Sequence, residues 1–264
     1  MTKQIRALAR GLTVVNTINA AASPVSLGDL HQATGIDRAT LLRILATLEQ
    51  EGWIFRGMGD RLYRLAYRLH ELGEQVHIND AVAQVVAPVL EQLQQRLHWP
   101  SDISVFDGEG MTIIETSRSR STLVLNRELI GYKPSMLKSA IGRVYLAYCD
   151  PRRRESILSR IRDKGGEEGR IAADSRYIEQ VLQEVRDRGY GVRDPSLTSL
   201  PTDTLEEFSA IALPIIVQGD IQACLSFVWI KSAYDAVGIE ESFYQQLKPD
   251  ADHLAALFEQ NGLY

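Results

Sequence analysis

The stretch that most narrows the possible folds is "VSLGDLHQATGIDRATLLRILATLEQEGW", residues 25–53. It holds two helical segments, each with its own start signal, separated by one glycine. Ser26 followed by Asp29 is a capping-box pattern, and it opens a short helix that offers Leu27, Leu30 and Ala33 to a core. Gly35 breaks that helix, and Asp37 caps the next, which runs to about Glu51. On a helical wheel Leu41, Ile44, Leu45 and Leu48 share one side. Ala39, Arg43, Ala46, Thr47 and Gln50 take the other, with Thr40 at its edge. That outward face is small, polar and basic, without the glutamate ladder of a merely solvated helix. Two helices joined by a short glycine-containing turn, the second so faced, suit the major groove of DNA. Small residues let the backbone approach, Arg43 reaches guanine acceptors, and Thr40 reaches a base edge or phosphate.

The flanks fit the same plan. Ala7 to Ala21 carries Leu8, Leu12, Val15 and Ile18 at the spacing of one buried helical stripe, stopped by Ser23-Pro24. Past Gly52, "WIFR" and "RLYRL" enclose "GMGD", two short strands about a glycine-rich turn decorated by Arg56, Arg61 and Arg64. This reads as the wing of a winged helix-turn-helix. Candidate DNA contacts are therefore Arg38, Ala39, Thr40, Arg43, Thr47, Arg56 and Arg61. A helical bundle whose hairpin binds protein is the competing reading.

Charge supports a basic module joined to something else. The chain of 264 residues has a net charge of -5, yet residues 1–70 hold nine Lys/Arg against five Asp/Glu. Cys149 and Cys224 form no CxxC or Cys/His cluster and read as buried thiols. No run reaches the eighteen apolar residues of a membrane span, and the N-terminus lacks a signal peptide's apolar centre, so a cytoplasmic location without membrane contact is expected.

Residues 66–80 read as a linker helix with Leu69 and Leu72 as partner contacts, and 81–97 as a helix burying Val82, Val85, Val86, Val89, Leu90 and Leu93. Residues 101–118 alternate and turn at Asp107-Gly108, and "LVLNREL" (123–129) offers another strand. Helices are expected over 136–148, 151–163 and 174–188, the second with Pro151 near its start. A strong hairpin spans 208–230 across Gly219-Asp220, and a last helix runs from about Ile239 to Glu259. Strands bracketed by helices make this an α+β sensor domain.

Taken together, "RALARGLTVVNTI", "SLGDLHQATGIDRATLLRILATLEQEGWI", "KSAIGRVYLAY", "GYGVRD" and "AIALPIIVQGDIQACLSF" resemble the IclR family over essentially the whole chain. The resemblance implies an α+β fold: an N-terminal winged helix (1–65), the linker helix (66–80) and a C-terminal effector-binding domain similar to GAF and PAS folds (81–264). It implies a bacterial regulator that binds double-stranded operator DNA as a homodimer or homotetramer and responds to small carboxylate metabolites. By motif, the family's effector positions fall at Ser139 and Ile141, Arg193 or Asp194, Ala210, Ser226 and Val228. The family often has Cys where Ala210 stands and a hydroxyl where Val228 stands, so a pocket less polar than one for a two- or three-carbon acid is expected. "HWPSDISVFDG" and "YKPSMLKSA" look similar to members controlling aromatic-acid breakdown, which places Trp99, Phe106, Tyr132, Met136, Leu137 and Phe227 around an apolar cavity.

Enzyme chemistry finds no constellation. His31, His70, His77, His98 and His253 are dispersed, with no HExxH, GxSxG elbow or P-loop, so neither a metal nor another cofactor is expected. His31 is expected to face solvent. The rival class is a ligand-binding module acting through protein contacts, which an acidic or hydrophobic outer helix face would favour; Arg38, Arg43, Arg56 and Arg61 oppose it.

Overall fold

The computed structural model describes residues 4–73, 77–118, 129–197, 208–234 and 238–264. The chain divides into two compact units, Met1–His77 and Ile78–Tyr264.

In the first unit α1 (Arg6–Ala20), α2 (Leu27–Thr34) and α3 (Arg38–Gln50) precede a hairpin of β1 (Ile54–Arg56) and β2 (Tyr63–Leu65) and a short α4 (Arg68–Gly73). The start signals act as the sequence implies. Ser26 Oγ accepts from Asp29 N at 3.2 Å while Asp29 Oδ2 accepts from Ser26 N at 2.8 Å. Asp37 Oδ1 accepts from Thr40 N at 2.8 Å, satisfying an amide that the first turn of α3 leaves unpaired. Gly35 stands at φ +67°, a left-handed conformation that costs glycine little and lets α2 stop abruptly before α3. Val14, Ile18, Leu30, Leu41, Leu45, Ile54 and Tyr63 form the core between these elements.

Four expectations change here. The buried stripe of α1 is Val14 and Ile18, whereas Leu8 and Leu12 are 60% and 51% exposed, because α2, α3 and β2 all approach α1 from the Val14 side. Ala33 is exposed, and His31 is part-buried, with Nδ1 2.7 Å from the carbonyl of Ile36, so that nitrogen carries the proton. The expected linker helix is also not continuous. Residues 66, 67 and 77 are not helical, and residues 74–76 lie outside the described residues. Ala66 N donates to Trp53 O at 3.0 Å and Arg68 Nη1 to Glu51 O at 2.7 Å, which ties this segment back to the end of α3.

The second unit is built on an antiparallel sheet of order β4-β3-β7-β6-β5, from β3 (Ser101–Phe106), β4 (Met111–Thr116), β5 (Gly191–Val192), β6 (Phe208–Val217) and β7 (Asp220–Ile230). Strand alternation sends successive side chains to opposite layers. One layer packs Ile103, Ile211, Leu213, Leu225, Phe227 and Trp229 against α5 (Ile78–Leu97) and α10 (Ile239–Asn261). The other packs Met111, Ala212 and Cys224 against α6 (Ala140–Tyr148), with α7 (Pro151–Lys164), α8 (Gly166–Ala173) and α9 (Ser175–Arg188) outside it. Residues 123–128 of the expected "LVLNREL" strand lie outside the described residues, and Leu129 is not in a strand.

The helix expected over 136–148 starts later, at Ala140. Ser139 caps it, its Oγ accepting from Gly142 N at 2.9 Å and donating to Ser135 O at 2.5 Å. Gly142 allows the close approach this requires: an added Cβ would overlap the backbone of Met136 and Ser135. The first turn of α6 is thereby pressed onto the segment before it.

Candidate nucleic-acid interface and ligand cavity

In α3, Arg38, Ala39, Arg43 and Thr47 are exposed and Thr40 is half-buried. Leu42, half exposed, also sits on this side and dilutes the polar face expected from the wheel. No side-chain partner holds Arg38 or Arg43 among the described residues, so both guanidiniums are available to an anion. Thr47 Oγ1 back-bonds to Arg43 O at 3.0 Å. A groove of about 730 Å³ runs between α1 and α3, lined by Leu8, Leu12 and Arg10 on one side and Thr40, Arg43 and Thr47 on the other.

The hairpin is firmly braced. Asp60 pairs with Arg64, and its carboxyl is held down to about 2 by that hydrogen bond and by the Leu62 amide. Arg56 lies over the Tyr63 ring, 5.2 Å from its centroid, and its Nε donates to Arg61 O at 2.7 Å. Arg61 is exposed with φ +60°. Arg64 is therefore neutralised within the hairpin, whereas Arg56 and Arg61 are exposed and, among the described residues, have no carboxylate partner.

In the second unit a cavity of about 70 Å³ opens between the α6 side of the sheet and the segment leading into α6. Among the expected residues Ser139, Ile141, Arg193, Ala210, Ser226 and Val228 line it, as does Tyr132. Phe106, Met136 and Leu137 do not. Phe106 stacks on Tyr145 with ring centroids 4.7 Å apart, and Met136 and Leu137 are buried under α6. Phe227 points to the opposite layer, against Phe243, and Trp99 donates from Nε1 to Tyr234 OH at 3.0 Å in that same layer. Asp194 pairs with Arg143 outside the cavity. His98, at φ +64° after the end of α5, is not in the lining either.

The cavity also contains charge that sequence reasoning missed. Asp102 and Arg118 line it and form a bidentate pair, Nε to Oδ1 at 3.0 Å and Nη2 to Oδ2 at 2.9 Å, with side chains only 2% and 3% exposed. Thr116 Oγ1 donates to the same carboxylate at 2.6 Å. The residues expected at the site are mostly apolar or hydroxylic, and β3 together with the segment just past β4 adds a buried ion pair to them.

Arg193 is the second cation. Its backbone N–H donates to Ala210 O at 3.0 Å, and its Nη2 reaches Leu197 O at 2.9 Å. Among the described residues no carboxylate pairs with it. Burial lowers its pKa, with Tyr132 opposing and Arg118 reinforcing the shift; burial likewise raises the Tyr132 phenol. Tyr132 is positioned by β4, since Ile113 N donates to Tyr132 O at 3.0 Å and Gly131 N to Ile113 O at 2.8 Å. Finally, Ala140 and Ile141 line the cavity at the start of α6, where amides have no intrahelical acceptor. Two guanidiniums against one carboxylate, with a helix N-terminus alongside, favour an anion.

Residues 7–56 match the family model described as the IclR helix-turn-helix domain, and residues 75–256 match that of the bacterial transcriptional regulator IclR C-terminal domain. The probable transcriptional regulator SauR of Cupriavidus necator is 22% identical over 253 residues, 96% of either chain. A putative transcriptional regulator from Rhodococcus sp. RHA1 has a similar fold, with TM-score 0.56, 23% identity and 98% of both chains covered. So has an IclR homolog complexed with 4-hydroxybenzoate from Microbacterium hydrocarbonoxydans, with TM-score 0.52, 23% identity, and 96% of this chain and 99% of that one covered. No described helix is long and apolar enough to cross a membrane.

Proposed function

We infer the function from a plain premise: the chain belongs to the IclR family, whose members are DNA-binding transcriptional regulators rather than enzymes. The proposal is that α3 and the β1–β2 wing bind an operator, and that a small carboxylate in the α6-side cavity shifts that affinity. The observation that carries it is the cavity's charge, Arg118 and Arg193 against Asp102 beside the α6 N-terminus. Two facts bear on the acid's size. The 4-hydroxybenzoate complex of a structural relative supports an aromatic acid. The 70 Å³ of this cavity is near half of the roughly 150 Å³ in which an engineered apolar cavity holds benzene, so short-chain acids fit as it stands and a ring needs a displaced wall.

Calorimetry with 4-hydroxybenzoate and a series of two- to four-carbon acids tests this. At least one acid binds, and Arg193→Met abolishes its binding while operator affinity without acid is kept; binding that survives Arg193→Met places the site elsewhere. On the DNA side, Arg43→Ala loses about 1–3 kcal/mol of discrimination between operator and random duplex. Arg61→Ala weakens both duplexes alike and reduces the salt slope by about one. Unchanged discrimination in Arg43→Ala overturns the assignment of α3. One winged helix reads only a short half-site, so a homodimer or a larger homo-oligomer is part of the proposal, with half-exposed Leu72 among its contacts. Light scattering that finds a monomer with and without operator refutes it.

A further inference from the structure

The tip of the β1–β2 hairpin presents an apolar side chain where phosphate contact alone needs none. Met58 is 96% exposed, between Gly57 and Gly59. The turn beneath it is held from several directions: Gly57 N donates to Leu62 O at 2.9 Å, Arg61 N to Gly57 O at 3.0 Å, and Leu62 N to Asp60 Oδ1 at 3.0 Å. A Cβ at Gly57 would run into the Asp60 carboxylate and Arg64 Nη1, so this tight turn is built around a glycine. Asp60 is neutralised by Arg64, which leaves Arg56 and Arg61, on either side of Met58 in the sequence, as exposed cations of the hairpin with no carboxylate partner among the described residues. The result is an unbranched apolar probe on a braced support between two positive charges.

We propose that Met58 enters the minor groove of DNA beside the sequence read by α3, with Arg56 and Arg61 on the phosphates of its walls, and selects A·T pairs there. This rests on the DNA-binding reading above and adds a specificity residue to it. A minor groove about 6 Å wide admits a thin side chain. At A·T pairs its floor carries only the flat acceptor edges, whereas a G·C pair adds the guanine amino group, whose bulk obstructs a side chain lying on the floor. A·T-rich tracts also narrow the groove and deepen its negative potential, which draws in the flanking arginines. Apolar side chains of this kind, methionine included, are used by minor-groove binders as wedges. Duplex DNA is the occupant the cations favour; a protein surface or a second copy gives a different result in the test.

The experiment uses the full chain and duplexes it enriches from a randomised library. In the enriched duplex, A·T pairs flanking the central site are replaced by inosine·C, which keeps the A·T minor groove, or by G·C. The wild-type chain loses about five-fold or more in affinity on G·C replacement and little on inosine·C replacement. Met58→Ala brings the two replacements within about two-fold of each other while keeping the Arg43-dependent discrimination at the centre. The inference is overturned if Met58→Ala retains the wild-type flank ratio, if inosine·C behaves like G·C, or if Met58→Ala changes only the oligomeric mass. A wild-type chain that enriches no duplex removes the DNA-binding reading itself, so the two failures are told apart.

Discussion

Asp102→Ala should be among the most costly single substitutions in the second unit. Its carboxylate accepts two bonds from Arg118 and one from Thr116, and both partners of the ion pair are almost fully removed from water. Truncation leaves the Arg118 guanidinium buried without its counter-charge, a change that costs about 3–5 kcal/mol. At a urea m-value of about 2 kcal/mol/M, the unfolding midpoint of this unit falls by about 1.5–2.5 M. Emission from Trp99 and Trp229, both in this unit, reports the transition once Trp53 of the first unit is replaced by Phe. Arg118→Met alone is comparably costly, because it strands Asp102. The double variant loses much less than the sum, since removing both charges also removes the desolvation they required. Asp102→Ala also leaves Arg118 and Arg193 facing the cavity with no acid between them, so added acetate raises its midpoint more than that of the wild type. Additive losses, or an Asp102→Ala cost below about 1 kcal/mol, would falsify the account of Asp102 and Arg118 as one desolvated unit.

Gly142→Ala has no room for its methyl against Ser135 and Met136, so it lowers the thermal midpoint of the second unit and weakens acid binding even though the helix propensity of α6 improves. In the wing, a carbon-detected NMR titration of Asp60 finds its midpoint near 2 rather than the usual 3.8, and Arg64→Gln moves it upward. Because the folded value is the depressed one, the Asp60–Arg64 contribution is complete above about 3.8 and fades as pH falls toward 2; a midpoint unmoved by Arg64→Gln rules out the Arg64 hydrogen bond as its cause.

What could be read from the sequence follows the range of the interactions involved. The caps at Ser26 and Asp37 and the break at Gly35 depend on neighbours two or three residues away, and they were legible directly. The stripe of α1 was not. Leu8, Leu12, Val14, Val15 and Ile18 offer two adjacent apolar faces, and only the approach of α2, α3 and β2 selects Val14 and Ile18. The cavity divides in the same way. Ser139, Ala210 and Ser226 sit in recognisable motifs, but Asp102 and Arg118 are 16 residues apart and meet only because β3 and β4 pair. An acidic residue inside the otherwise apolar and hydroxylic run of residues 101–106 was the signal that could have found them. Phe106, Met136 and Leu137 were misplaced because apolar content alone does not distinguish a cavity wall from the packing beneath α6.

Alternation along β7 gives adjacent residues separate histories. Leu225, Phe227 and Trp229 belong to the α5–α10 layer, while Ser226 and Val228 face the cavity with Ala210 of β6. A lineage can therefore change residues 210, 226 and 228, and with them the lining of the cavity, without touching the aromatic layer on the other side of the sheet. The cavity lining and foldability drift independently under point substitution. Insertion or deletion is different: one residue gained or lost within β7 exchanges the two sets of side chains across the sheet and alters both properties together. Diversification of this cavity is thus open to changes of residue and closed to changes of strand length.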